Sequence, residues 1–215
     1  MFILGLTGSI GMGKSTAANM FRRLSIPVHD ADATVHQLIG KNGAAVDAIA
    51  ADFPKVVVNG VVDRKKLGDE VFGNAQKLTQ LEAILHPLVR RKMHRFIDRY
   101  ARQRRKLVVL DIPLLFETGG DRYCDGVLVV SCPEFLQKQR VLARKGMTKT
   151  KHRSILMKQT PDAEKRALAD FVIQSNQGKR NGYLKVKELV GVLSSGDINR
   201  RAFSPHLSLV CQNQI

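Results

Sequence analysis

The chain of 215 residues contains no tryptophan and only three tyrosines. Acidic residues are also scarce: 19 Asp and Glu stand against 35 Lys and Arg, which gives a formal net charge of +16. No apolar run approaches the roughly 20 residues of a membrane-spanning helix, so we expect no membrane partner. The shortage of aromatic side chains disfavours a stacking platform for single-stranded nucleic acid. At 44% hydrophobic residues, the composition is that of a globular protein.

The three cysteines are Cys124, Cys132 and Cys211, an odd number without metal-ligand spacing. This pattern is typical of reduced thiols and disfavours both a disulfide framework and a zinc site. The apolar residues 2–6 lack a basic start and run directly into glycines, which predicts a first strand rather than a signal peptide. We therefore expect a cytoplasmic protein.

Short apolar runs alternate with longer amphipathic ones, a pattern that predicts parallel βαβ units. The runs are continuously apolar, so we expect an α/β fold with helices on both faces of the sheet. A first helix is predicted over residues 15–24. The predicted strands cover residues 2–6, 26–29, 107–110, 126–131 and 171–174.

Nearly eighty residues separate the second and third predicted strands, more than one crossover helix needs. We predict an inserted helical domain at residues 64–106, with Pro87 breaking or restarting a helix. The core is then residues 1–63 and 107–195, with a basic lid at about 134–168, and residues 196–215 are predicted to be a loosely held tail. Helical spacing in the insertion is carried by Leu67, Val71, Leu78, Leu81, Ile84 and Leu85.

Residues 8–15 read Gly-Ser-Ile-Gly-Met-Gly-Lys-Ser and match G-x-x-x-x-G-K-[ST] in full. Glycines let the backbone turn its N–H groups toward phosphate oxygens, and the following helix points its positive end at the same anion. Lys14 is expected to reach the β- and γ-phosphates, and Ser15 to offer its hydroxyl to Mg²⁺. The motif predicts nucleotide binding but does not separate a kinase from an ATPase or a GTPase.

Three acidic residues, Asp30, Asp32 and Asp111, follow predicted strands. A kinase that phosphorylates a hydroxyl needs a carboxylate to orient and deprotonate it, and ligands bind beyond the carboxyl ends of parallel strands. Asp30 is an equally good N-cap for the next helix. Spacing alone does not choose between Asp30 and Asp32.

Arg140 and Arg144 lie four residues apart in the predicted lid, which places them on one face of a helix. From there they are expected to neutralise charge on a transferred phosphoryl group. An exposed basic face is the alternative interpretation.

A second basic stretch, residues 89–106, holds nine Lys or Arg and a single acid, Asp98. It is either a solvated helix face, a stripe for nucleic acid or a surface for a substrate with several phosphates.

Over residues 2–190 the chain resembles the dephospho-CoA kinase family. The resemblance rests on residues 5–16, on Asp30-Ala-Asp32, on Leu81-Glu-Ala-Ile-Leu-His-Pro87 and on Asp111-Ile-Pro-Leu-Leu-Phe-Glu117. It also rests on Gln139-Arg140 with Arg144, and on Ala169-Asp-Phe-Val-Ile173. The loop motif is shared by many families, whereas the other segments in this order are much more specific.

The resemblance implies a P-loop kinase fold with a five-stranded parallel sheet, an inserted helical substrate domain and a lid. It implies transfer of the ATP γ-phosphoryl group to the ribose 3′-hydroxyl of dephospho-CoA, the last step of coenzyme A synthesis. Asp32 is implied as the catalytic carboxylate, with Lys14 and Arg140 stabilising the transferring group. The implied nucleotide contacts are Gly11, Met12, Gly13, Lys14, Ser15, Thr16 and Arg144. The implied substrate contacts are Asp32, Arg64, His86, Arg90, Pro113, Leu114 and Glu117.

The chain departs from the family pattern at two places. His36 stands where many relatives have arginine, and residues 174–178 read Gln-Ser-Asn-Gln-Gly where Asp-Asn-Ser-Gly is usual. We expect the chain to bind a small-molecule substrate, dephospho-CoA, and no nucleic acid. The expected oligomeric state is a monomer or weak homo-oligomer. The alternative functions are another P-loop kinase for nucleosides or nucleoside monophosphates and, ranked lower, a nucleic-acid-binding NTPase.

Overall fold

The computed structural model describes residues 1–195. Five parallel strands form one sheet, as the sequence predicted, and their order is β2-β5-β1-β6-β7. These strands are β1 (Phe2–Thr7), β2 (Val28–Asp30), β5 (Leu107–Asp111), β6 (Gly126–Ser131) and β7 (Phe171–Gln174). A separate antiparallel pair consists of β3 (Val57–Val58) and β4 (Val61–Val62).

The helices fill the intervals between the strands. They are α1 (Lys14–Arg23), α2 (Ala31–Ile39), α3 (Val46–Asp52), α4 (Arg64–Val71), α5 (Ala75–Arg102), α6 (Glu134–Leu142), α7 (Lys149–Leu156), α8 (Asp162–Leu168) and α9 (Lys179–Ser195). None of the helices in residues 1–195 is long and apolar enough to cross a membrane.

Side chains that alternate along the strands build the core on both faces of the sheet. On one face, Leu4, Leu128 and Val130 pack with residues of α1 and α9, including Phe21 and Leu189. On the other face, Val127 and Val129 pack with Leu115, from the segment after β5, and with Ala169 at the end of α8. Because β1, β5, β6 and β7 run parallel, their carboxyl ends all lie at the same end of the sheet.

The chain divides into two compact units. The first combines residues 1–29 with the chain from Tyr100 onward, and the second is Asp30–Arg99. The second unit has its own core, in which α2, α3 and α4 pack with the first half of α5 around Ile49, Val56 and Leu81. This unit begins earlier than the predicted insertion at residue 64. The predicted tail at 196–215 lies outside the described residues.

Two local predictions were wrong. The second strand begins at Val28 rather than at residue 26, because Ser25 has φ 58° and the Ile26 N–H donates to the Phe21 carbonyl at the end of α1. Pro87 does not interrupt α5, which is 28 residues long.

A proline inside a helix costs about 3 kcal/mol. Ile84, Leu85, Leu88 and Val89 all pack against the core of the second unit on either side of Pro87. Burying such side chains stabilises by about 1.5–3 kcal/mol each when burial is complete, so even partial burial of four offsets the proline.

Candidate nucleotide and phosphoryl-transfer site

The glycine-rich loop between β1 and α1 has the backbone that a phosphate cradle requires. Gly11 and Gly13 have φ 81° and 101°, a region that side chains with a Cβ rarely adopt. A Cβ on Gly11 would also lie 2.5 Å from Val141 Cγ2. Lys14 is the first residue of α1, so the N-terminal N–H groups of this helix follow the loop directly. Such an arrangement binds anions.

The side chain of Lys14 extends to the end of β5, the strand next to β1. Its Nζ lies 2.6 Å from Asp111 Oδ1, and Asp111 is only 3% exposed. The pair fixes the ammonium group beside the loop. Of the three acids considered from the sequence, Asp30, Asp32 and Asp111, it is Asp111 that contacts Lys14.

Arg140, near the end of α6, also reaches the loop. Its Nη1 and Nη2 donate to the Ser175 hydroxyl at 2.8 Å and to the Ser175 carbonyl at 3.0 Å. The Ser175 hydroxyl in turn donates to the Met12 carbonyl at 2.6 Å. The structure thus brings together Arg140, the loop and the first residue after β7.

Arg144 does not share a helix face with Arg140, so that prediction was wrong. Helix α6 ends at Leu142, and the chain then turns tightly. The Arg144 N–H donates to the Val141 carbonyl, and the Met147 N–H donates to the Arg144 carbonyl. These bonds span three residues instead of the four of an α-helix. Arg144 is exposed in this turn.

Two glutamines hold Ile10 in the middle of the loop. Gln137 Nε2 donates to the Ile10 carbonyl at 2.8 Å, and the Ile10 N–H donates to Gln159 Oε1 at 3.1 Å. Beside them lies a cavity of about 550 Å³. Its lining includes Ser9, Met12, Cys132, Gln137, Gln159 and Asp162.

Glu117, a predicted substrate contact, lies in a buried ion pair. Its Oε1 is 2.8 Å from Lys165 Nζ and accepts a hydrogen bond from the Thr160 N–H at 2.8 Å. Burial alone raises the pKa of Glu117, but the hydrogen bonds and the positive charge of Lys165 outweigh it and lower the pKa. Within residues 1–195, Glu117 Oε2 is buried without a hydrogen-bond partner, which leaves one acceptor.

The other two predicted contacts after β5 differ in exposure. The Pro113 carbonyl accepts a hydrogen bond from the Thr7 hydroxyl at 3.0 Å, and Leu114 is 38% exposed.

Four predicted site residues belong to the second unit, and all are exposed: Asp32, Arg64, His86 and Arg90. Asp30 is the N-cap of α2, since its Oδ1 accepts a hydrogen bond from the Ala33 N–H at 2.9 Å. Asp32 is therefore the acid of this pair that does not cap the helix. Arg64 begins α4, and Arg90 lines a cavity of about 420 Å³ along α5, together with Arg91, His94 and Arg95.

Mg²⁺ fits the loop only in its usual mode, in which one or two protein groups combine with phosphate oxygens and water. Among residues 1–195 there is no group of three or more His, Cys, Asp or Glu that would hold an ion alone. The exposed Ser15 hydroxyl in the first turn of α1 is a suitable oxygen ligand for the shared mode.

Sequence reasoning missed Ser175, Gln137 and Gln159. Gln137 did carry a signal, because it shares the buried face of α6 with Val141 four residues later. A buried amide on an apolar face requires hydrogen-bond partners. Ser175 and Gln159 lie in irregular segments, where no periodicity marks them.

The chain matches the sequence profile of a protein family described as dephospho-CoA kinase (CoaE) over residues 2–181. It is 61% identical over 166 residues to the dephospho-CoA kinase of Paramagnetospirillum magneticum, covering 77% of this chain and 78% of that protein. It is 51% identical over 209 residues to the dephospho-CoA kinase of Rhodospirillum rubrum, covering 95% and 99% of the two chains.

Solved structures agree on the fold. The crystal structure of TT1252 from Thermus thermophilus matches with a TM-score of 0.78 and 34% identity, covering 89% of this chain and 96% of that one. Dephospho-CoA kinase from Campylobacter jejuni matches with a TM-score of 0.63 and 24% identity over 90% of this chain and 98% of that one.

Proposed function

The chain belongs to the dephospho-CoA kinase family and is an ATP-dependent phosphotransferase of the last step of coenzyme A synthesis, and we propose the following roles for its residues. The acceptor is the ribose 3′-hydroxyl of dephospho-CoA. The observation that carries this assignment is the family match over residues 2–181, which includes both the loop and the acids after the strands.

Asp32 is the general base. It lies in the first turn of α2, directly after β2, and the competing acid Asp30 is occupied as the helix cap. The acceptor oxygen attacks the γ-phosphorus, the bond to the β,γ-bridging oxygen breaks, and ADP leaves. The hydroxyl proton passes to the Asp32 carboxylate.

Lys14 and Arg140 stabilise the charge that develops on the transferring group. Both cations are already held at the loop, by Asp111 and by Ser175. Charges that are preorganised in this way need little reorganisation energy during the reaction. The backbone of Gly11 to Thr16 holds the nucleotide phosphates, and Arg144, exposed in its turn, contacts them from the lid.

The Ser15 hydroxyl would hold Mg²⁺ together with the nucleotide phosphates. When bound, it neutralises phosphate charge and fixes the phosphate geometry.

The phosphates of the acceptor are bound by cations of the second unit. Arg64, His86 and Arg90 are exposed, and further basic side chains line the cavity beside Arg90. Arginine suits this task because its planar fork binds phosphate in a bidentate manner. Pro113, Leu114 and the unpartnered oxygen of Glu117 contribute contacts from the segment after β5.

We further propose a cytoplasmic enzyme that acts as a monomer or weak homo-oligomer without a nucleic-acid partner. The odd number of cysteines supports the cytoplasmic assignment, and the lack of tryptophan disfavours a nucleic-acid partner.

An acceptor screen tests the proposal. ADP release is measured with ATP and either dephospho-CoA, nucleosides, nucleoside monophosphates or no acceptor, and the product is identified by mass spectrometry and phosphorus NMR. We expect turnover with dephospho-CoA and a new 3′-phosphomonoester. Preferential turnover of a nucleoside or nucleotide would reassign the acceptor, and equal turnover without acceptor would indicate an ATPase.

A further inference from the structure

Gln137 and Gln159 make complementary contacts with one residue of the phosphate loop. Gln137 donates to the Ile10 carbonyl, and Gln159 accepts from the Ile10 N–H. The direction of each bond is fixed by the partner, because a carbonyl only accepts and an N–H only donates. Ile10 lies before the residues 11–16 that carry the nucleotide phosphates, so its own polar groups are used to shape the loop.

Each bond also fixes a neighbouring peptide group. In a planar trans peptide the carbonyl and the N–H point in opposite directions. When Gln137 holds the Ile10 carbonyl, the Gly11 N–H must point away from Gln137. When Gln159 holds the Ile10 N–H, the Ser9 carbonyl points the other way, where it accepts from the Met12 N–H at 3.1 Å and closes the turn.

Both glutamines are themselves held in place. Gln137 is only 3% exposed on the inner face of α6. Gln159 is followed by Thr160, whose N–H donates to Glu117, and by Asp162, which accepts a hydrogen bond from the Ser131 hydroxyl at 2.7 Å. The segment that carries Gln159 is therefore attached to the segment after β5 and to the end of β6, and β5 and β6 are the strands that flank β1.

We propose that Gln137 and Gln159 are positioning residues that set the phosphate loop in its ATP-binding conformation. They touch neither the acceptor nor the reacting atoms, and they act through the peptide groups on both sides of Ile10. Both belong to the lid segment 134–168, so the lid and the loop are coupled through these two side chains. This inference deepens the proposed function and rests on ATP being the nucleotide.

The first test removes each bond at constant side-chain size. Gln137→Met and Gln159→Met are compared with Gln139→Met, an exposed position on α6. Loss of one such hydrogen bond is expected to weaken ATP binding about tenfold. ATP affinity is measured by calorimetry without acceptor, and the KM for dephospho-CoA should stay within about twofold.

The double variant should lose less than the product of the two single effects, because both side chains hold the same residue. Wild-type ATP affinity in both single variants would overturn the proposal, as would an equal loss in Gln139→Met. A wild-type chain that binds ATP but does not phosphorylate dephospho-CoA would reject the acceptor assignment and leave the ATP measurements valid.

The second test replaces each glutamine amide by a carboxyl group, which changes its ability to donate a hydrogen bond. Its outcome does not depend on the stability of the folded protein alone. A carboxylate at position 159 still accepts from the Ile10 N–H, so Gln159→Glu should retain most of the ATP affinity that Gln159→Met loses. A carboxylate at position 137 faces a carbonyl oxygen and repels it, and only the protonated acid donates. Gln137→Glu should therefore gain ATP affinity, relative to wild type, as the pH falls from 8 to 6. Parallel pH profiles for the two Glu variants would contradict the proposal.

Discussion

Lys14, the first residue of α1, and Asp111, the last residue of β5, form a direct ion pair with 2.6 Å between Nζ and Oδ1. The Asp111 carboxylate is almost completely buried, so the pair holds the ammonium group in a fixed place next to the loop. The cost of ordering a flexible lysine is then met before the nucleotide arrives.

Replacement of Lys14 tests the electrostatic role of this cation. We expect Lys14→Ala to lower kcat on the order of 100-fold or more, because a fixed positive charge at the transferred phosphoryl group is lost. The measurement is steady-state coenzyme A formation at saturating ATP and dephospho-CoA. Lys138→Ala, an exposed position on α6, is the control. A Lys14→Ala enzyme within a few-fold of wild type would assign the stabilising charge elsewhere.

The two acids after β2 offer a matched pair of variants. Asn caps helices as well as Asp does, so Asp30→Asn should keep both α2 and the activity. Asp32→Asn removes the proposed general base and should abolish phosphoryl transfer while ATP still binds. Single-turnover transfer and ATP calorimetry separate the two effects. If Asp30→Asn were the inactive variant instead, the base would be Asp30.

Arg140 and its anchor can be separated by mutation. Arg140→Ala should reduce the transfer rate more than it weakens ATP binding, since the proposed role of the guanidinium is to stabilise charge that develops in the transition state. Ser175→Ala keeps the cation but removes its hydroxyl partner, and we expect a smaller loss of about three- to tenfold in kcat. If Arg140→Ala mainly raised the Kd of ATP, Arg140 would be a ground-state anchor.

The ion pair between Glu117 and Lys165 makes a prediction about pH. The pKa of Glu117 is lowered in the folded protein, so its contribution to stability is present above the pKa of the unfolded chain and is lost as the pH falls through the folded pKa. Lys165 is completely buried, so Glu117→Gln leaves an unpaired buried cation and should cost about 2 kcal/mol or more at pH 7.

The difference in stability between wild type and Glu117→Gln should shrink as the pH falls through the lowered pKa of Glu117, because the wild-type carboxyl then becomes neutral like the glutamine. Urea unfolding from pH 3 to pH 8 measures this difference. Glu164→Gln, at an exposed position next to Lys165 on α8, is the control. A difference that does not change with pH would mean that the pair does not carry the effect.

The strands were predictable because both faces of this sheet are covered, which requires continuously apolar runs. Residues 126–131 and 171–174 were predicted with the observed boundaries. The hairpin of the second unit was missed, although Asn59-Gly60 between paired valines is a strong signal for a tight turn, and both residues have the positive φ that such a turn needs. Pro87 led to the wrong prediction of a helix break, because local sequence does not show how much buried apolar surface on either side of the proline stabilises the helix.

The loop motif was predictable, since its spacing is imposed by phosphate and by backbone geometry. The groups that hold the loop in shape were not. Ser175, Gln137 and Gln159 lie more than 120 residues from the loop residues they bond, and no sequence period links them. Spacing left Asp30 and Asp32 as alternatives, and only the family resemblance implied Asp32. The hydrogen bond by which Asp30 caps α2 supports that choice.

The Asn59-Gly60 hairpin tip gives the second unit a handle for engineering. Both tip residues are exposed, and a side chain added at Gly60 would meet no heavy atom within 4 Å. Exposed tips of this kind tolerate inserted sequence, because no buried backbone hydrogen bond is lost. A short peptide tag or fluorophore placed there would label residues 30–99 at a position outside the phosphate loop. A change in its signal on addition of dephospho-CoA would test the proposed substrate contacts of this unit.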